Sequence, residues 1–213
     1  PLLTTSTVPE ERSVSTTAAP TVVTSDIITR YSDYDRLLRI TSYLLRFMKN
    51  CRTSAENRVH GFISVPEMKQ ALQYWLRSAQ ELEFSAELND LRQNTVLKST
   101  STLKSLNPFL DSAGLLRVGG RLSQSDLPYD HKHPIILPKR HHLTLLIVRR
   151  EHILNLHSGL NVTMAVLRGR YWIIHGRSTI KRIIHQCVRC YRFRPLKSEQ
   201  MMADLPPSRI TVS

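Results

Sequence analysis

Apolar positions along the chain fall into a few periodic stretches separated by polar ones. Residues 1–30 carry twelve Ser/Thr, three prolines and no glycine, lysine or aromatic residue, so residues 1–31 read as a disordered Ser/Thr-rich linker. The period changes at Ser32. Ser32-x-x-Asp35 has the form of a capping box, and Leu37, Ile40, Leu44, Phe47 and Met48 recur at helical spacing. Arg36, Arg39, Arg46 and Lys49 fall on other faces, which predicts an amphipathic helix over 33–50 with Cys51 as a buried structural thiol at its end. After a polar loop containing Gly61, Ser64-x-x-Glu67 opens a second helix, with Pro66 tolerated in its first turn. Met68, Ala71, Leu72, Trp75, Leu76, Ala79 and Leu82 form its core stripe. A short third helix follows over 85–93, with Leu88 and Leu91 inward, and residues 32–93 form one helical connector.

Residues 94–105 are Ser/Thr/Lys-rich and read as a linker. In 106–139 the period shortens. Asp111 to Gly114 fits a turn, Leu115–Val118 a short strand closed by Gly119-Gly120, and His133–Pro138 a second strand. The prolines that bracket the second strand place it at an edge, and a small antiparallel sheet is expected. From Arg140 helical spacing returns. Leu143, Leu146, Ile147, Ile153 and Leu154 make a buried face, Ser158-Gly159 breaks the helix with Gly suited to a left-handed cap, and Asn161 caps the next. There Val162, Ala165, Val166 and Trp172 are expected inward. Ser178 caps a last helix with Ile180, Ile183, Ile184, Cys187 and Val188 inward and Lys181, Arg182, His185 and Arg189 outward.

This last region carries the chemistry. His152 and His157 form H-x4-H, and Cys187 and Cys190 form C-x2-C twenty-nine residues later. Zn2+ takes four nitrogen and sulfur ligands in a tetrahedron, and two neutral imidazoles with two thiolates also cancel its charge. On one helix, five steps turn about 140° past a full turn, so the helix must end between the histidines. Three cysteines, with Cys51 remote, fit no disulfide scaffold and point to a reducing compartment. Metal binding is expected to drive folding of 140–195, and Cys187→Ser to unfold that segment while leaving the helices 33–50 and 64–82 largely intact.

Charge sharpens the picture. The net charge is +13, from 30 Lys/Arg and 17 Asp/Glu. Residues 131–197 hold fourteen Lys/Arg and one acid, Glu151, which is 14 − 1 = +13, so the remaining sixteen bases and sixteen acids cancel. A basic excess confined to the metal-binding stretch points to nucleic acid, with Arg168, Arg170, Lys181, Arg182, Arg189, Arg192 and Arg194 as the candidate contacts. The other reading is a zinc-stabilised protein-interaction or multimerisation module with no direct role on DNA. No run of eighteen apolar residues occurs, so no membrane span is expected.

Several motifs in 106–207 resemble the H2C2 zinc-binding domain of retroelement integrases, and those of the Bel/Pao long-terminal-repeat group in particular. They are Pro108-Phe109-Leu110-Asp111, Gly114-Leu115-Leu116-Arg117-Val118-Gly119-Gly120-Arg121-Leu122, His133-Pro134-Ile135-Ile136-Leu137-Pro138, His157-Ser158-Gly159, Leu167-Arg168, Tyr171-Trp172-Ile173, Cys187-Val188-Arg189-Cys190 and Met202-Ala203-Asp204-Leu205-Pro206. Residues 31–93 resemble, less specifically, the connector that precedes integrase in such polyproteins. The resemblance implies Zn2+ held by His152, His157, Cys187 and Cys190 in a module spanning 140–197. It also implies binding to double-stranded DNA at element ends and assembly with other integrase protomers and a catalytic core, toward which 198–213 would be a linker. Integrase catalysis needs three clustered carboxylates, and after Glu151 the only acids are Glu199 and Asp204, so this stretch alone is not expected to cut or join DNA. An intracellular setting is expected, the nucleus first and the cytoplasm second. The fold class expected is mainly α: a helical connector, short antiparallel strands, then a zinc-stabilised three-helix bundle of helix-turn-helix type.

Overall fold

The structure is a computed structural model that describes residues 27–120, 122, 124–193 and 201–210. Most of the Ser/Thr-rich stretch, Arg121 of the glycine-arginine motif, and Arg194 lie outside the described residues.

Helix α1 spans Tyr34–Cys51 and α2 spans Val65–Glu83. The cap of α1 is Asp33, not Ser32: its carboxylate accepts from the Arg36 N–H at 2.6 Å. At α2 the box forms as expected, with Glu67 Oε2 accepting from the Ser64 N–H at 2.8 Å. The face α1 buries is Leu37, Leu38, Thr41, Ser42 and Arg46. That is a row stepping by four, and it departs from the one expected: Leu44, Phe47 and Met48 are exposed and Arg46 is buried. Polar groups enter this face because each is satisfied. The hydroxyls of Thr41 and Ser42 donate to Leu37 O and Leu38 O, and Trp75 Nε1–H donates to Thr41 Oγ1. Arg46 forms a two-pronged pair with Glu67 and donates to the carbonyls of Gly61 and Phe62, tying both helices to their loop. That pairing and the Ser64 donors hold the Glu67 carboxyl down at about 2. Cys51 ends α1 at the surface and is exposed, against expectation. Helix α3, Ser85–Arg92, buries Leu88 as read.

The sheet is small and its order is β1-β2-β3-β4, with β1 at Pro108–Leu110, β2 at Leu116–Val118, β3 at Ile135–Leu137 and β4 at Tyr171–Ile173. β1–β2 and β2–β3 are antiparallel, but β3–β4 is parallel, so the sheet is mixed. β3 lies inside the sheet, not at its edge. Its prolines flank the paired residues and contribute as acceptors: Pro134 O takes the Val118 N–H and Pro138 O the Thr144 hydroxyl. Successive side chains point to opposite faces. Ile135, Leu137, Tyr171 and Ile173 join a large core with α1 and α2, while Leu116, Val118, Ile136 and Trp172 meet Phe84, Leu88 and Leu103 on the other side. Leu103, within the stretch read as a linker, is fully buried there.

Two polar side chains lock the sheet. Gln80 of α2 is wholly buried, accepts from the Leu116 N–H at 2.8 Å and donates to Leu116 O at 3.0 Å and Ile136 O at 2.8 Å. Arg117 pairs with Asp111 and with Asp130 of the short α4, Tyr129–Lys132, donates to His133 O, and lies over the Tyr129 ring. Gly119 is required by close approach, because a Cβ there would sit 2.1 Å from Asn107 O.

The crossover from β3 to β4 contains α5, His142–Leu154, and α6, Leu160–Arg168. After β4 come α7, Gly176–His185, and the short α8, Val188–Arg192. Leu156 and His157 take the left-handed conformation between α5 and α6, and Gly159 caps α6 with an extended φ, so neither Gly159 as left-handed cap nor Asn161 as N-cap holds. His175, not Ser178, caps α7. Helix α6 turns Thr163 and Leu167 inward and leaves Val162, Ala165 and Val166 exposed, since its inner face meets α5 and α7 rather than a full shell. Val188 is also exposed, because α7 ends at His185 and Val188 opens a separate short helix rather than continuing its inner face. Leu143, Leu146, Ile147, Leu167, Ile180 and Ile183 share the large core with Leu37, Leu72, Trp75 and Leu76. The fold is mainly helical, with a small sheet and a His/Cys-stabilised bundle.

Candidate metal centre

His152 stands on the last turn of α5, where the helix buries it against the core, and His157 follows on the left-handed turn just after it. Cys187 is the N-cap of α8 and Cys190 lies in its first turn. The two pairs converge. His152 Nε2 is 3.2 Å from His157 Nδ1 and 3.2 Å from Cys190 Sγ, and His157 Nδ1 is 3.3 Å from Cys187 Sγ and 3.8 Å from Cys190 Sγ. All four ligand atoms lie within 4.8 Å of one another. With Zn–N of about 2.0–2.1 Å and Zn–S of about 2.3 Å, the edges of a tetrahedron are roughly 3.3–3.8 Å, which these contacts match. Four electron-pair donors facing one centre would repel without a cation between them. Among the described residues this is the one such convergence of three or more His, Cys, Asp or Glu side chains.

Electrostatics prepares two of the ligands, His152 and Cys187. His152 Nδ1 lies 3.0 Å from Ser158 O, and a carbonyl can only accept, so the proton sits on Nδ1 and Nε2 is left bare for the metal. Burial holds the His152 imidazole below its ordinary range, helped by the neighbouring His157 and opposed by the Ser158 bond. Burial pushes the Cys187 thiol up, but hydrogen bonds from Cys190 and the Arg189 N–H, with the Arg189 charge, carry it below its ordinary value. Ser158 was read only as part of a helix break. Its carbonyl orients the first ligand and in turn receives the Thr163 hydroxyl at 3.2 Å. A main-chain acceptor leaves no mark in residue type, so nothing in the sequence signals this role.

Residues 139–196 match the family model described as the integrase zinc binding domain. The match takes in all four ligands. No curated protein and no solved structure matches the chain. The family that this segment matches is a non-catalytic zinc-binding region of integrases, and Zn2+ is the metal that a His2Cys2 set takes.

The basic residues expected as nucleic-acid contacts lie on the surface of this segment. Arg168, Arg170, Lys181, Arg182, Arg189 and Arg192 are all exposed, as read, and Arg194 is outside the described residues. Arg168 lies over the Trp172 ring at 5.6 Å and Arg170 over the Tyr171 ring at 5.5 Å. Arg182 donates to Lys139 O at 3.4 Å. No helix among the described residues is long and apolar enough to cross a membrane.

Proposed function

We propose that the chain is the zinc-stabilised DNA-binding and assembly module of a retrotransposon integrase of the Bel/Pao type, acting in the nucleus on duplex DNA at element ends. The observation that supports this best is the charge distribution: the whole excess of +13 falls on 131–197, which contains the zinc site. In this reading the zinc holds α5, α7 and α8 together so that cations on separate helices track a phosphate backbone. Arg168, Arg170, Lys181, Arg182, Arg189, Arg192 and Arg194 are the proposed contacts. The catalytic core and further protomers are the proposed protein partners, and cutting or joining of DNA belongs to that core.

The second reading, a protein-interaction module, has its own support. Leu154, Leu156, Val188, Tyr191 and Phe193 are exposed apolar side chains that flank the metal ligands in sequence. A salt titration separates the two. With four to six phosphates contacted, log K against log salt should slope at roughly −4 to −5, and replacing Lys181 and Arg182 with Ala should flatten it by about 2. Affinity indifferent to salt, or unchanged in the double variant, would hand the case to protein interaction.

A further inference from the structure

Where α6 ends, β4 runs along the sheet edge and α7 begins, the surface opens into a cavity of about 550 Å3. That lies within the range of about 300–1,000 Å3 typical of small-ligand sites. Its deep wall is apolar, with Leu167 and Ile180 almost fully buried, and half-buried Trp172, whose side chain lies toward the opposite face of the sheet, borders the cavity at the β4 edge. Around it stand the exposed cations Arg168, Arg177 and Lys181, and none of the described residues lining it is acidic.

The combination narrows the ligand. An apolar molecule would not need three cations, and a bare phosphate would not need an indole. The phosphates of paired DNA need no cavity, and its bases present only their edges while they remain stacked. An unpaired nucleotide uses both halves of the site: a flat ring for the aromatic wall and a phosphate for the cations. The Arg168 guanidinium carbon lies over the Trp172 ring at 5.6 Å, so a base stacking on the indole would take the place of that cation and leave it free for a phosphate.

We propose that this cavity holds one unpaired nucleotide of a DNA strand, its base stacked at Trp172 and its phosphate held by Arg177 and Lys181. The proposal rests on the nucleic-acid reading of the zinc module and names a part of the DNA that the salt titration does not address.

The test uses the full zinc-loaded chain and four probes: a blunt duplex of about twenty base pairs, the same duplex with two unpaired thymidines at one 3′ end, the same with two abasic residues there, and free dTMP. The thymidine tail should tighten binding at least about fivefold over both the blunt and the abasic-tailed duplex. It should also quench Trp172 emission, while Trp75, only 4% exposed, is shielded. Trp172→Leu should erase the tail preference. Because Trp172 also packs in the second core, Arg177→Ala serves as the variant on an exposed side chain, and it should cut the preference while leaving blunt-duplex affinity within about twofold. A tail no better than a blunt end, an abasic tail as good as thymidine, or an undiminished preference in Arg177→Ala overturns the proposal. Free dTMP that saturates the quench with no gain from the tail overturns its assignment to a strand. Tail-dependent binding and quenching with no binding of blunt duplex would sustain the cavity and sink the duplex reading instead.

Discussion

Replacing Gln80 with Leu should cost the protein more than any other change of similar shape. Leucine nearly fills the space of the glutamine, so the apolar packing of α2 on the sheet survives. What disappears is the amide. Its carbonyl accepts from the Leu116 N–H, and its NH2 serves Leu116 O and Ile136 O, so three backbone groups at a wholly buried position lose a partner. Leu116 O keeps the Ile136 N–H across the antiparallel pairing, so two groups are stranded at about 1–3 kcal/mol each, the carbonyl toward the low end, which gives about 2–4 kcal/mol in all. With a urea m-value of about 2 kcal/mol/M, the unfolding midpoint should fall by about 1–2 M. Equilibrium urea unfolding followed by circular dichroism measures it. Gln80→Glu should fare worse still, because a carboxylate would face two carbonyl oxygens. A fall of less than about 0.5 M in the leucine variant, or a glutamate variant more stable than the leucine one, would refute the idea that this amide completes the ladder between β2 and β3.

Two further outcomes are expected. Elemental analysis should find one Zn2+ per chain, and chelation or Cys187→Ser should shift Trp75 emission as well as unfold 140–195, because Trp75 and Ile147 lie in one core; a silent Trp75 would show that the helical pair stands alone. The second concerns His141, whose burial, with His142 nearby, lowers its folded value from 6.5 to about 4, while its Nδ1 accepts from the Leu143 N–H at the start of α5. The neutral ring is favoured in the fold, so its contribution is complete above pH 6.5 and is lost as pH falls toward 4. His141→Asn keeps a cap without the titration and should lessen the loss of stability over that window, whereas equal slopes for both proteins would remove His141 as the cause.

The metal ligands and α2 were legible for the same reason: each is a local pattern whose spacing is set by helix geometry. Ser64 and Glu67, the stripe from Met68 to Ala79, and the two ligand pairs need no knowledge of what lies across the fold. Where partners decided the outcome, the pattern misled. Arg46 looked like a surface cation, and only the Glu67 carboxylate and two loop carbonyls explain its burial. Leu44, Phe47 and Met48 fit a helical stripe that starts at Leu37, yet α1 rests on a row that steps by four and admits Thr41 and Ser42. β1 and β4 have three residues each, too few to show alternation, and the parallel pairing of β3 with β4 depends on a crossover that local spacing cannot report. The left-handed turn fell on Leu156 and His157 rather than Gly159 because the second histidine must swing back toward the first.

The position of the ligands along the chain has a consequence for the unfolded state. His152 lies in the crossover before β4 and Cys190 after α7, thirty-eight residues on, so one ion ties off a loop that encloses both β4 and α7. Treated as a cross-link, such a ring removes about 4 kcal/mol of chain entropy from the denatured ensemble at 25 °C. β4 is a three-residue edge strand whose parallel neighbour is reached only through that crossover, so it has little of its own with which to find β3. A zinc ion captured early would keep the two strands within a short tether of each other, making the metal a determinant of how fast the sheet closes as well as of how firmly it stays closed.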